Sequence, residues 1–214
     1  MRLTRLLLAA AFPALGLASL AHAGAQAYEP LAASVQAALH AAVSDHAAPE
    51  PEFPSLAEKQ SWLAEMSQRL ARRMPDRTQR RDLIKTVYYE AKRAGLDPQR
   101  VLGLIQVESG FRKYAISSVG ARGYMQIMPF WSRTIGTGDP ASLFHMQTNI
   151  RFGCVILRHY LDMERGNLFM ALGRYNGSRG RAEYPNMVTA AWRGWKLPEG
   201  GTQVADAGTA AARR

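Results

Sequence analysis

A chain of 214 residues that is 47% hydrophobic and 21% charged has the composition of one packed domain with some unstructured flank. Its single cysteine, Cys154, excludes an intramolecular disulfide, and five histidines without metal-ligand spacing offer no metal site. With 27 Lys and Arg against 17 Asp and Glu the formal charge is +10, which points to anionic partners: nucleic acid inside a cell, or the phosphates and carboxylates of an envelope.

Met1-Arg-Leu-Thr-Arg5, an apolar run from Leu6 to Leu20 and Ala21-His22-Ala23 form the three parts of a secretory signal peptide over residues 1–23. The run of 15 residues is short for a bilayer span, and no cysteine follows it to carry a lipid, so no stable membrane span is expected after cleavage. Cleavage takes away Arg2 and Arg5, leaving 25 basic and 17 acidic side chains, a charge of +8. Export favours the envelope over nucleic acid as the anionic partner. Residues 24–54, alanine-rich and then broken by Pro49, Pro51 and Pro54, read as a linker. Residues 55–79 read as a helical N-terminal extension: Ser55-Leu-Ala-Glu58 is a capping box, and Trp62, Leu63, Met66, Leu70 and Met74 share one face before Pro75.

A compact domain is expected over 80–197. Its first helix runs from Arg80 to Ala94, with Leu83, Ile84, Val87, Tyr88 and Ala91 inward and Gly95 as its stop. Asp97-Pro98 opens the next, and its apolar stripe of Val101, Leu104 and Ile105 continues into a carboxylate, Glu108. Glu108 stands two residues before the Gly110 stop, in the last turn of the helix, where apolar neighbours and the negative helix end both disfavour ionisation, so its pKa is expected to rise, as a general acid requires. Phe111 to Leu143 is rich in Gly, Ser and Pro and reads as loops, with one short helix near Pro129. Thr148-Asn149 is the expected cap of a long helix reaching Glu164, with Phe152, Val155, Ile156, Tyr160 and Met163 on its stripe and Cys154 as a buried, inert thiol. Asn167 caps a short helix ending at Tyr175-Asn176-Gly177, and Pro185 stands near the start of a last one through Val188 and Trp192. No stretch alternates with period two, so the fold class is all-α, and residues 198–214 read as a disordered tail.

Three clusters carry chemistry: Glu108-Ser-Gly-Phe111, Gly120-Ala-Arg-Gly-Tyr-Met-Gln-Ile-Met-Pro129 and Ala171-Leu-Gly-Arg-Tyr-Asn-Gly177. In order and spacing they resemble the catalytic domain of soluble-type lytic transglycosylases, relatives of goose-type lysozyme. The family's Glu-Ser pair, Gly-Leu-Met-Gln segment, helix-start Asn and Ala-Tyr-Asn-Ala-Gly segment are matched by Glu108-Ser109, Gly123-Tyr-Met-Gln126, Asn149 and Arg174-Tyr-Asn-Gly-Ser178. Tyr124, Arg174 and Gly177-Ser178 depart from the family pattern, and Glu183-Tyr-Pro-Asn-Met-Val188 matches a further family segment in part.

The resemblance implies a lysozyme-like fold and cleavage of the β-1,4 bond between N-acetylmuramic acid and N-acetylglucosamine in peptidoglycan. Glu108 would serve in turn as acid and base while the muramoyl C6 hydroxyl closes a 1,6-anhydro ring. Ser117, Gln126 and Met128 stand on the substrate side, with Glu183 as a further candidate there. Tyr175 is the phenol expected to orient the acid. Arg112, Lys113 and Arg122 are candidates to meet peptide carboxylates, and nothing calls for a cofactor. The signal peptide over residues 1–23 points to the periplasm, and the resemblance implies glycan strands as the partner, with an envelope secretion or pilus machine as a further candidate. A hydrolase on the same fold and a non-catalytic envelope scaffold stay open as alternatives.

Overall fold

The computed structural model describes residues 26–44 and 52–197. The expected signal peptide, the proline-rich stretch around Pro49 and Pro51, and the expected tail lie outside the described residues. The described residues form eight α-helices, α1 Ala33–Ser44, α2 Leu56–Leu70, α3 Arg77–Arg93, α4 Pro98–Glu108, α5 Pro129–Ile135, α6 Met146–Met163, α7 Leu168–Tyr175 and α8 Glu183–Arg193, with one 3-10 turn at Pro140–Phe144. The only β-type pairings among them are isolated bridges, Ile116 to Arg122 and Arg122 to Ile127. The fold is all-α, as its periodicity required.

The helix starts follow side-chain chemistry. Ser55, Asp76, Asp97 and Asn167 each accept a hydrogen bond from a backbone N–H of the turn they open. Asp76 moves the start of α3 three residues ahead of the expected Arg80. The helix α6 begins at Met146 rather than at a Thr148-Asn149 cap, because Asn149 is drawn inward and fully buried. Met163, expected on the α6 stripe, is 43% exposed. Its place in the last turn carries it past the end of the core.

One core joins the elements. Met66 and Leu70 of α2 are as buried as Leu83 of α3, Leu104 and Ile105 of α4 and Ile156 of α6. The α2 segment is therefore part of the domain's packing, and residue 80 is no structural boundary. The linker reading of residues 24–54 is corrected as well: residues 33–44 form α1, which packs against α5 and α6. Its small residues, mostly alanine, favour helix and need little room, so a helix can pack there without the large apolar residues that mark a core face. A buried ion pair ties α3 to α6, with Arg151 Nε and Nη2 donating to Glu90 Oε1 at 3.0 and 2.7 Å.

The helix pair that builds the site is α4 and α8. A Cβ on Gly103 would come within 2.7 Å of the Trp192 backbone nitrogen, so only glycine lets the two backbones approach so closely. Trp192 Nε1 donates to Asp97 Oδ2 at 2.9 Å, fixing the C-terminal part of α8 over the start of α4. Tyr184 in the first turn of α8 reaches Glu108 at the end of α4, and Trp195, just past α8, reaches Gln106.

Candidate active site

Glu108 is the last residue of α4 and only 4% exposed. The chain then reverses through two consecutive left-handed residues, Gly110 (φ 59°) and Phe111 (φ 69°). A phenylalanine there is strained, and its burial against Trp195, edge to face with centroids 5.5 Å apart, holds it. The apolar stripe thus carries its carboxylate into the interior, as expected. Glu108 Oε1 accepts a hydrogen bond from the Tyr184 hydroxyl, and Oε2 is buried with no hydrogen-bond partner. Burial pushes the carboxyl up to about 8, against the opposing pull of the Tyr184 hydrogen bond, so the acid is mostly protonated at neutral pH.

Among the described residues, two acidic residues are buried, Glu90 and Glu108, and the Glu164 side chain, 8% exposed, is taken up by Arg174 and Arg179. Glu90 is matched by Arg151, whereas Glu108 faces a neutral phenol. The Tyr184 hydroxyl is itself held well above its usual range by burial and by the negative charge of Glu108, so it stays a donor.

The glycine-rich segment is fastened to the end of α4 by buried side chains. Ser109 Oγ donates to Tyr124 O at 2.7 Å and also lies 3.3 Å from Ile105 O, joining loop and helix beside the acid. Asn149 Oδ1 accepts from Met125 N at 2.8 Å, while its Nδ2 donates to Arg122 O at 2.9 Å and Leu143 O at 2.7 Å. Tyr175 donates its hydroxyl to Met125 O at 2.8 Å. Gly123, at φ 75°, leaves no room for a Cβ, which would stand 2.4 Å from Asn149 Nδ2.

The expected site residues fall into different places. Gln126 is buried at φ 50°, its side-chain amide donating to Gly123 O at 2.9 Å and Ala115 O at 3.2 Å. Ser117 is half-buried and closes the preceding turn, its Oγ accepting from Ala121 N at 3.1 Å. Met128 is half-buried and opens α5. Arg122 donates to Pro140 O and lies over the Phe144 ring, and Arg112 donates to Ser109 O, so both brace the loop. Lys113 lies over the Tyr114 ring. Glu183 is exposed at the first residue of α8.

Two readings are corrected. The phenol on the acid is Tyr184, and Tyr175 spends its hydroxyl on the loop backbone instead. Asn149 is a three-bond loop clamp rather than a helix cap. The sequence did hold a signal for Tyr184, since it sits inside the Glu183-to-Val188 segment singled out for its carboxylate. Gln26 had no signal: it is 3% exposed and bonds both Gln126 O and Met128 N.

Residues 85–190 match the transglycosylase SLT domain family. A transglycosylase of Enterobacteria phage PRD1 is 32% identical over 100 residues, covering 47% of this chain and 36% of that protein. Membrane-bound lytic murein transglycosylase C of Actinobacillus pleuropneumoniae is 35% identical over 85 residues, 36% of this chain and 23% of its own length. Among solved structures, an inactive mutant of the Pseudomonas aeruginosa lytic transglycosylase Slt is similar at 28% identity and a TM-score of 0.42, over 50% of this chain and 20% of that one. The soluble lytic transglycosylase Slt70 of Escherichia coli is similar at 22% identity and a TM-score of 0.39, over 64% and 25% of the two chains. The chain thus spans little more than a third of the phage relative, and less than a quarter of the membrane-bound one.

Proposed function

We propose, from the premise that residues 85–190 belong to the transglycosylase SLT domain family, that this protein is a peptidoglycan lytic transglycosylase. Its reaction is cleavage of the bond between N-acetylmuramic acid and N-acetylglucosamine without water, leaving 1,6-anhydromuramoyl ends. The observation that carries this reading is the setting of Glu108: a buried carboxyl, its pKa pushed up to about 8 by burial, with one oxygen held by a phenol and the other unpartnered.

Such a group can act twice. The proton on Oε2 passes to the glycosidic oxygen as the C1–O bond breaks, leaving an oxocarbenium-like sugar and a Glu108 carboxylate. The carboxylate then takes the proton of the muramoyl C6 hydroxyl, whose oxygen bonds to C1 and closes the ring. Glu108 ends protonated, ready for another turnover. Tyr184 donates to the carboxylate in its charged interval without adding a charge of its own, which keeps the pKa near the working pH. A hydrolytic route needs a second carboxylate as nucleophile or water base. The other buried acidic residue, Glu90, is already engaged by Arg151, and this favours the ring-closing route over a hydrolase on the same fold.

The loop that supports the acid also supplies the substrate side, with Ser117, Gln126 and Met128 as contacts and exposed Glu183 at the rim. Export to the periplasm accords with the leader-like first 23 residues and with the net basic charge, which suits an anionic wall. No helix among the described residues is long and apolar enough to cross a membrane. Service to general wall remodelling or to a secretion or pilus machine is compatible with the same chemistry.

The test is mass spectrometry of soluble products from peptidoglycan, with Glu108→Gln alongside. Anhydromuramoyl ends that vanish with the variant are expected. Reducing ends one water heavier would make the protein a hydrolase. No products from either protein would favour the scaffold reading.

A further inference from the structure

The segment ahead of α1 lies across the loop that carries the expected substrate contacts. The Gln26 carboxamide is almost fully buried: its Nε2 donates to Gln126 O at 3.2 Å, and its Oε1 accepts from Met128 N at 3.1 Å. Tyr28 meets Phe130 edge to face, with centroids 5.5 Å apart. Glu29 pairs with Arg174 at 3.0 and 3.2 Å, one residue before the tyrosine that holds Met125. Behind the segment, α1 is docked on α5 and α6, and Gln36 Nε2 donates to Thr134 O at 2.8 Å.

These contacts differ in kind. The α1 docking is helix against helix, whereas the segment ahead of it is held by one amide, one ring edge, the half-buried Leu31 and one part-exposed ion pair, the last worth little in water. Residues 26–31 can therefore lift while α1 stays in place. The amide is the telling contact. An amide N–H and an amide carbonyl, paired with a backbone carbonyl and a backbone N–H, are also what the acetamido group of an N-acetylated sugar brings to a protein edge. The edge here belongs to Gln126 and Met128, on the loop pinned beside Glu108 by Ser109 and Tyr175.

We propose that residues 26–31 form an inhibitory strap, in which the Gln26 carboxamide occupies the backbone edge of residues 126–128 that an acetamido group of the glycan strand takes when substrate binds. This rests on the reading that the protein takes an N-acetylated glycan. Because the strap is tethered to α1, it competes at high effective concentration. The glycan's apparent dissociation constant is then the intrinsic one divided by the fraction of molecules with the strap lifted. A purely structural Gln26 acts in the opposite direction: removing it would loosen the edge and weaken binding.

The experiment titrates tri-N-acetylchitotriose into the purified full chain carrying Glu108→Gln, which cannot turn over, and follows the backbone amide resonance of Met128. The comparison proteins add Gln26→Ala or, at the other end of the strap, Glu29→Ala. Trimer affinity is expected to rise by about threefold or more with Gln26→Ala, and by less with Glu29→Ala, which removes only a part-exposed ion pair. Deacetylated chitotriose is expected to gain nothing. Equal or weaker trimer binding in both variants overturns the strap, as does an equal gain for the deacetylated sugar or the absence of trimer binding in every protein. Product release from peptidoglycan, measured on the same chain without Glu108→Gln, separates the two ideas. An active enzyme whose trimer affinity does not rise on Gln26→Ala loses the strap and keeps its proposed function.

Discussion

Replacing Glu108 by Gln is expected to flatten the pH dependence of stability, and the sign follows from the raised pKa. Below pH 4.5 the carboxyl is protonated in folded and unfolded chains alike, and it imposes no penalty. Between 4.5 and about 8 the unfolded chain releases the proton while the folded protein keeps it, so stability falls as pH rises; above about 8 the loss is complete. At ~1.36 kcal/mol per pH unit the interval amounts to ~5 kcal/mol, an upper bound because an ionised carboxylate draws in water. The amide is not a neutral substitute in every respect. Its nitrogen would take the place of the unpartnered Oε2, and a buried donor without an acceptor costs about 1–3 kcal/mol at every pH. The diagnostic is therefore the slope rather than the level. Urea unfolding followed by the fluorescence of the four tryptophans, at pH 5, 7 and 9, measures it. The difference between variant and wild type should move by several kcal/mol in the variant's favour from pH 5 to pH 9. Parallel curves would refute the reasoning, since Glu108 would then be ionised in the folded protein at neutral pH and unable to donate.

Tyr184→Phe removes the hydrogen bond that favours the carboxylate, so the alkaline fall of kcat/KM, expected near pH 8 in the wild type, moves to higher pH while the rate drops about tenfold or more; an unshifted pH–rate profile would mean that the phenol does not act on the acid. Asn149→Ala strands the Met125 N–H and the Leu143 carbonyl, while the Arg122 carbonyl keeps its bond from Ile127 N, and is expected to cost about 2–4 kcal/mol in urea unfolding, with lysis lost in step. A full-strength variant would show that the loop is held elsewhere. Gly123→Ala and Gly95→Ala both oppose a left-handed backbone, but a Cβ at Gly123 strikes Asn149 and Leu143 whereas one at Gly95 meets open space. Thermal melts should show roughly 1–2 kcal/mol for Gly95→Ala and clearly more for Gly123→Ala.

Much of this protein is decided by local sequence. Helical periodicity and side-chain caps at Ser55, Asp97 and Asn167 set element type, because each depends on residues within one or two turns of one another. The burial of Glu108 was legible for the same reason: its position on the stripe of Val101, Leu104 and Ile105 is a property of one helix. What could not be read locally is which partner meets it. Tyr175 and Tyr184 both end up fully buried, and each lies far along the chain from the group it bonds. The choice between them is made by packing: α8 lies against α4 and brings Tyr184 to the acid, while Tyr175 on α7 meets the loop. Asn149 likewise sits where a cap would be expected, and becomes a clamp only because the loop from Arg122 to Met125 is folded against α6. The fate of Gln26 lies furthest from the sequence, since its partners are 100 and 102 residues away and a lone glutamine in an alanine-rich stretch carries no periodic signal. A helix is specified by neighbours in sequence; a hydrogen bond between helices is specified by the packing that sets their distance, and only the assembled core supplies that.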